Sequence, residues 1–168
     1  MHDDVGTVLG AELDEAFRVE RAKKATSESK GLSVITTSGA LVTLLFGLVA
    51  VATGKNERPT GGAAAGFLFA GIAFFAAASM LGIYCNAPGR YLEIDPGSLT
   101  SMTTPEVWSK DAAEAQRELA LAHIRILQNW RQVNLSRARV LLAAISLEVA
   151  GVAAVAVAAV LVVAKGIL

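Results

Sequence analysis

The chain has 168 residues, enough for one domain, with 54% apolar residues, one cysteine and a formal charge of zero. Mean hydropathy is +0.51. The excess lies in three unbroken runs, not at the period of two or 3.6 that marks a water-soluble domain, so an ordinary soluble fold is excluded.

Residues 5–28 predict a helix. Val5, Leu9, Leu13, Ala16 and Phe17 form an apolar stripe, and Asp14–Arg18 and Glu20–Lys24 stand four apart, the spacing of helical ion pairs. Residues 1–31 are expected to form an amphipathic helix, lying on the inner membrane face or against another cytoplasmic helix. Thr26-Ser27-Glu28-Ser29-Lys30-Gly31 reads as a break or hinge, although only Gly31 argues against a continuous helix.

Three apolar runs follow. Residues 32–53 hold 22 residues without a charge, 63–85 hold 23, and 140–164 hold 25 with one charge, Glu148. A hydrocarbon core of roughly 30 Å needs about 20 helical residues, so each run predicts a transmembrane helix. Ala50-Val51-Ala52 resembles a signal-peptide cleavage site. The long, mixed-charge segment ahead of it and the length of the run favour an uncleaved signal-anchor. The external loop, residues 54–62, is short and rich in turn residues, which forces the first two spans into an antiparallel hairpin.

Charge sets the expected orientation. Five Lys and Arg precede the first run (Arg18, Arg21, Lys23, Lys24, Lys30), and seven stand between the second and third (Arg90, Lys110, Arg117, Arg125, Arg131, Arg137, Arg139). The other side receives only Lys55, Arg58 and Lys165. The positive-inside rule then predicts N-in, C-out, with the N-terminus and the second loop cytoplasmic in a multi-pass protein of the cell membrane.

The second loop, residues 86–139, carries the soluble mass. Residues 91–101 read as irregular. Thr104, Pro105 and Glu106 form a helix start signal, and no Pro or Gly recurs until Gly151. One helix from Pro105 to about Lys165 is therefore expected, a cytoplasmic stalk continuous with the third span. Its seam is Trp108, Ala112, Ala115, Leu119, Ala122, Ile126, Trp130 and Val133, close to a coiled-coil repeat. That seam needs a partner: the N-terminal helix of the same chain, or the same helix of a second copy. The expected fold is all-α.

Glu148 carries the most information. It stands nine residues past Arg139, or about 13 Å deeper along a helix. An ionisable residue in a span costs about 2.5–3.5 kcal/mol on insertion scales and faces protein or water. It is expected to turn toward Thr36, Thr37, Ser38 or Thr43 of the first span. It is then either a pore-lining or proton-sensitive carboxylate, or an acid that glues the bundle through those hydroxyls. Gly62, Gly66 and Ala70 follow the small-residue spacing of helix packing, within the chain or between copies, and Ala150, Ala154 and Ala158 repeat it. Arg131, Arg137 and Arg139 form a basic collar that suits anionic lipid or simply fixes topology.

Carriers of other chemistry are missing from the sequence. Cys85 alone permits no intramolecular disulfide or cysteine metal cluster, and reads as a reduced thiol, an acylation site or a small packing residue. His2 and His123 are too isolated to form a zinc pair. Asp111, Glu114 and Glu118 form a solvated face. No phosphate loop or nucleophile elbow appears, so no catalytic, metal or cofactor residues are assigned and no enzyme is expected. Expected partners are the lipid bilayer and a second copy or a cytoplasmic protein, not nucleic acid.

The segment from Lys30 through Gly31-Leu32-Ser33-Val34-Ile35-Thr36-Thr37-Ser38-Gly39-Ala40-Leu41-Val42-Thr43-Leu44-Leu45 to Phe46 resembles a family of small actinobacterial membrane proteins. The hairpin, the Asn129–Arg131 region and Glu148 belong to the same likeness, which implies architecture more than activity. More distantly, the polar helix and Lys ahead of a small-residue-rich span, the hairpin and the long helix resemble the membrane effector module of Pycsar-type anti-phage systems. That likeness implies a membrane-perturbing oligomer. The sequence has no recognisable cyclic-nucleotide-binding domain, so a sensor would be a separate partner. The alternative is a non-catalytic membrane scaffold whose stalk docks a partner.

Overall fold

A computed structural model describes residues 5–53, 62–89, 91–93, 96–101, 103–109 and 111–166. The described elements are all helical: α1 (Val5–Thr53), α2 (Gly62–Asn86), α3 (Pro96–Ser101), α4 (Pro105–Trp108) and α5 (Ala112–Gly166). Three of them, α1, α2 and α5, are long and apolar enough to cross a membrane. The loop expected to be external, residues 54–62, lies outside the described residues, save Gly62, which opens α2.

Three elements differ from expectation. No hinge interrupts residues 26–31, because α1 runs through them as one helix. Gly31 is there for contact, not for a turn: a Cβ on it would stand 3.2 Å from the Gly82 carbonyl oxygen and 2.7 Å from the Asn86 amide nitrogen. Within the segment expected to be irregular, Pro96–Ser101 forms a short helix. The long helix does not start at Pro105. The start signal there produces a single turn, α4, which ends as the Ser109 amide bonds the Pro105 carbonyl and the Ser109 hydroxyl bonds the Glu106 carbonyl at 2.9 Å. The helix restarts at Asp111, whose carbonyl accepts from the Ala115 amide at 3.0 Å, and α5 continues for 55 residues.

The chain divides into two compact units, Met1–Thr26 with Pro88–Ser136 and Ser27–Ala87 with Arg137–Leu168. In the first unit, α1 packs in parallel on α5. The Phe17 ring stands edge-on to His123 and Trp130, with centroids at 5.8 and 6.2 Å, and Leu13 and Leu127 are buried. Two ion pairs depart from the expected spacing of four. Arg18 reaches Glu15 and Lys23 reaches Glu20, three apart in each case, while Lys24 lies 4.7 Å over the Tyr91 ring.

In the second unit α2 runs antiparallel to α1 and α5. Its core is Val34, Ala78, Cys85, Leu141 and Ala144. Small residues let the backbones approach, the packing mode that operates where lipid supplies no hydrophobic drive. A Cβ on Gly71 would come within 2.7 Å of Val155, and one on Gly151 within 2.8 Å of the Phe75 ring. Outward positions carry large apolar side chains on α2 (Phe67, Phe69, Met80, Ile83) and on α5 (Leu142, Val149, Val152, Val160).

Candidate intramembrane polar site

The second unit places Glu148 of α5 against α1. Thr37 Oγ donates to Glu148 Oε1, and Ser38 Oγ donates to the same oxygen at 3.3 Å. Ser38 is fully buried, Glu148 is half-buried and Thr37 is exposed. The carboxylate therefore sits at the edge of the α1–α5 contact, not at its centre. Thr37 Oγ also stands 2.9 Å from the Ser33 carbonyl, its own turn of helix.

Of the four hydroxyls expected near Glu148, two reach it and two do not. Thr36 and Thr43 face away, bonding the Leu32 and Gly39 carbonyls at 3.0 and 2.9 Å. The reason is helical geometry. Successive residues turn by about 100°, so Thr37 and Ser38 straddle the edge facing α5 while Thr36 and Thr43 lie on the far side. That far side is a row of Ser29, Ser33, Thr36, Ala40, Thr43 and Gly47, all exposed and none large. The exposed Leu32 and Leu44 flank it on the same helix.

The other packing residues divide as follows. Gly62 and Gly66 are exposed with nothing within 4 Å of a Cβ, and Ala70 is half-buried. Packing on α2 is instead carried by Ala64, Gly71, Phe75, Ala78, Gly82 and Cys85. On α5, Ala154 and Ala158 are buried. Cys85 is fully buried, its Sγ 3.6 Å from the Arg137 carbonyl, and is a packing residue in this structure. Arg137 is no free member of a basic collar. It is 4% exposed, donates to Glu28 Oε1 at 3.1 Å and donates to the Ala87 carbonyl at the end of α2.

The seam of the first unit is shifted from the expected one by a single residue. Ile126 and Val133 are half-buried, while their neighbours Leu127 and Asn134 are buried. Ala115 and Ala122 are half-buried, and Ala112 and Leu119 are exposed. Trp130 alone belongs to both seams. It is flanked by Phe17 and by Tyr91, whose ring centroid is 4.7 Å away, and its indole donates to the Leu92 carbonyl. The side chain of Trp108 lies outside the described residues.

The residues that sequence reasoning missed are Glu20 and Asn134. Asn134 Nδ2 donates to Glu20 Oε2 at 2.8 Å and to the Glu20 carbonyl at 3.0 Å, while its Oδ1 accepts from the Tyr91 hydroxyl at 3.1 Å. Burial works to raise the Glu20 pKa, but hydrogen bonds from Lys23 and Asn134 and the charges of Lys23 and Arg131 outweigh it, so the carboxyl lies below its usual value. A seven-residue spacing would have revealed the pair. On α1 it runs 13, 17, 20, 24, 27, 31, 34, 38, and on α5 it runs 123, 127, 130, 134, 137, 141, 144, 148. Counting only apolar side chains hides it, because Glu20, Asn134 and Arg137 are buried in the repeat and Glu148 stands at its edge.

Among the described residues no three metal-ligating side chains come together. The fold and site define an all-α protein with three helices fit to span a membrane and an acidic side chain, Glu148, at the edge of the contact between two of them. No family model, curated protein or solved structure matches the chain.

Proposed function

We propose that this is a non-catalytic, multi-pass membrane protein that works as an oligomer, its N-terminus and second loop cytoplasmic, and lets ions cross where its copies meet. The observation that carries the reading is the place of Glu148, half-buried at the edge of the α1–α5 contact beside an exposed Thr37. In a lone chain that edge faces hydrocarbon, where an ionisable side chain is costly. Other copies, or water held among them, remove the cost. The row Ser33, Thr36, Ala40 and Thr43 supports the same orientation, since small and hydroxyl side chains suit helix contact or a wet lumen better than acyl chains. A membrane effector of the anti-phage kind, which the layout resembles, would act in this way.

A scaffold is the second reading, and one observation favours it. Thr36 and Thr43 satisfy their hydroxyls on their own helix, so their row needs no water and is suited to dry packing. Membrane potential separates the two, read with a voltage-sensitive dye in cells expressing wild type or Glu148→Gln at matched levels. Leak activity predicts depolarisation by wild type and its loss in the variant. Normal insertion of both without depolarisation leaves the scaffold as the account.

A further inference from the structure

A repeat of apolar residues every seven positions does not by itself say how two helices align. Sliding one helix by seven residues again sets apolar against apolar, and only an interruption tells the alternatives apart. In the first unit the interruption is Glu20 on α1 and Asn134 on α5. Glu20 is 2% exposed and Asn134 is 6% exposed. Both amide hydrogens of Asn134 go to Glu20, and its oxygen takes the Tyr91 hydroxyl.

We infer that the Glu20–Asn134 layer selects the register in which α1 lies on α5. It does so whether or not the chain assembles. A slip of one heptad that keeps the apolar pattern sets Asn134 against Leu13 and takes Glu20 from its amide donors. A buried polar group that loses its partner costs far more than the made bond contributes, so the slipped pairing is excluded by its penalty. Lys23 lies on α1 and stays with Glu20 in either register, so it does not discriminate between them. Arg131 of α5 is 60% exposed and reaches Glu20 only at 3.7 Å. The penalty falls on Asn134, set against Leu13. Polar core residues that set register at some expense of stability are known in coiled coils. Here both partners lie in one chain.

Disulfide trapping in full-length protein in membranes tests this, in a Cys85→Ala background. Gly6→Cys with Gln116→Cys reports the native register, since a Cβ on Gly6 meets the Gln116 side chain. Gly6→Cys with His123→Cys reports a slip of one heptad. With the layer intact the first pair cross-links in excess of the second by about tenfold or more, the ratio that an unsatisfied buried group implies. Replacing both Glu20→Leu and Asn134→Leu is expected to bring the two yields together. Asn134→Leu alone, which keeps the charges around Glu20, moves them in the same direction. Glu20→Gln, which can still bond the amide, keeps the native pair dominant. Cross-linking confined to the native pair in both leucine variants overturns the inference.

Discussion

The two units hold the same pair of helices together by different means. In Met1–Thr26 with Pro88–Ser136, bulk and polarity do the work: Phe17 meets Trp130 edge-on, Tyr91 lies tilted against the same indole, and Glu20 meets Asn134. In Ser27–Ala87 with Arg137–Leu168, α2 joins the pair and glycines bring the backbones close. Gly151 of α5 receives the Phe75 ring of α2 and Gly31 of α1 rests on Gly82 of α2, around a core of Val34, Ala78, Cys85, Leu141 and Ala144. Under the proposed topology, with the first unit in water and the second in lipid, the contrast has a physical cause. Water expels large apolar groups and so rewards burying them, whereas acyl chains are as apolar as leucine and only close backbone approach distinguishes protein from lipid.

That contrast can be broken most sharply at Gly151. Gly151→Leu drives a side chain into the Phe75 ring and is expected to destabilise the second unit by about 3 kcal/mol, as severe overpacking does. Gly39→Leu, in open space on α1, is the matched control and should leave unfolding in detergent unchanged. Equal effects would show that close approach is not what holds these helices.

A smaller effect is expected at Arg137. Arg137→Met keeps the apolar stem but removes the buried donors to the Ala87 carbonyl and the Glu28 carboxylate, at about 2 kcal/mol for hydrogen bonds that involve a charged group. Thermal loss of helicity in detergent measures it. An unchanged transition would mean that the end of α2 is held by packing alone.

Smaller still is a pH effect confined to the first unit. The folded-state pKa of Glu20 is lowered, so folding favours the charged form. Its contribution is complete above the ordinary carboxylate value of about 4.3 and is lost as pH falls through the lowered folded value. Stability measured from neutral to about pH 3 should decline less in Glu20→Gln than in wild type, the difference appearing only on the acid side. Parallel curves would remove Glu20 from the account.

Much of the second unit was legible in the sequence, because length and hydropathy alone define a span and the depth of Glu148 implies a hydroxyl partner. Thr37 and Ser38 were among the four candidates, and the 100° step between residues separates them from Thr36 and Thr43. Gly62 and Gly66 make no contact within the chain, because an alanine-rich helix offers the small-residue spacing on several faces at once, and neighbours decide which face packs inside it. The first unit was harder to read. The apolar arc on α5 is wide enough to hold two seams one residue apart, and the one that forms is marked by Leu127 with the polar Asn134. The signal at Pro105 yields one turn, α4, and the long helix starts at Ala112 with Asp111 ahead of it.

The meeting of copies along α1 can be examined directly by oxidising Thr36→Cys, in a Cys85→Ala background, in native membranes. Thr36 lies on the small-residue row and faces away from α2 and α5 of its own chain. The account predicts a disulfide-linked dimer for Thr36→Cys and none for Leu142→Cys, which lies on the outward apolar face of α5. A Thr36→Cys protein that inserts normally yet stays monomeric under oxidation would contradict it.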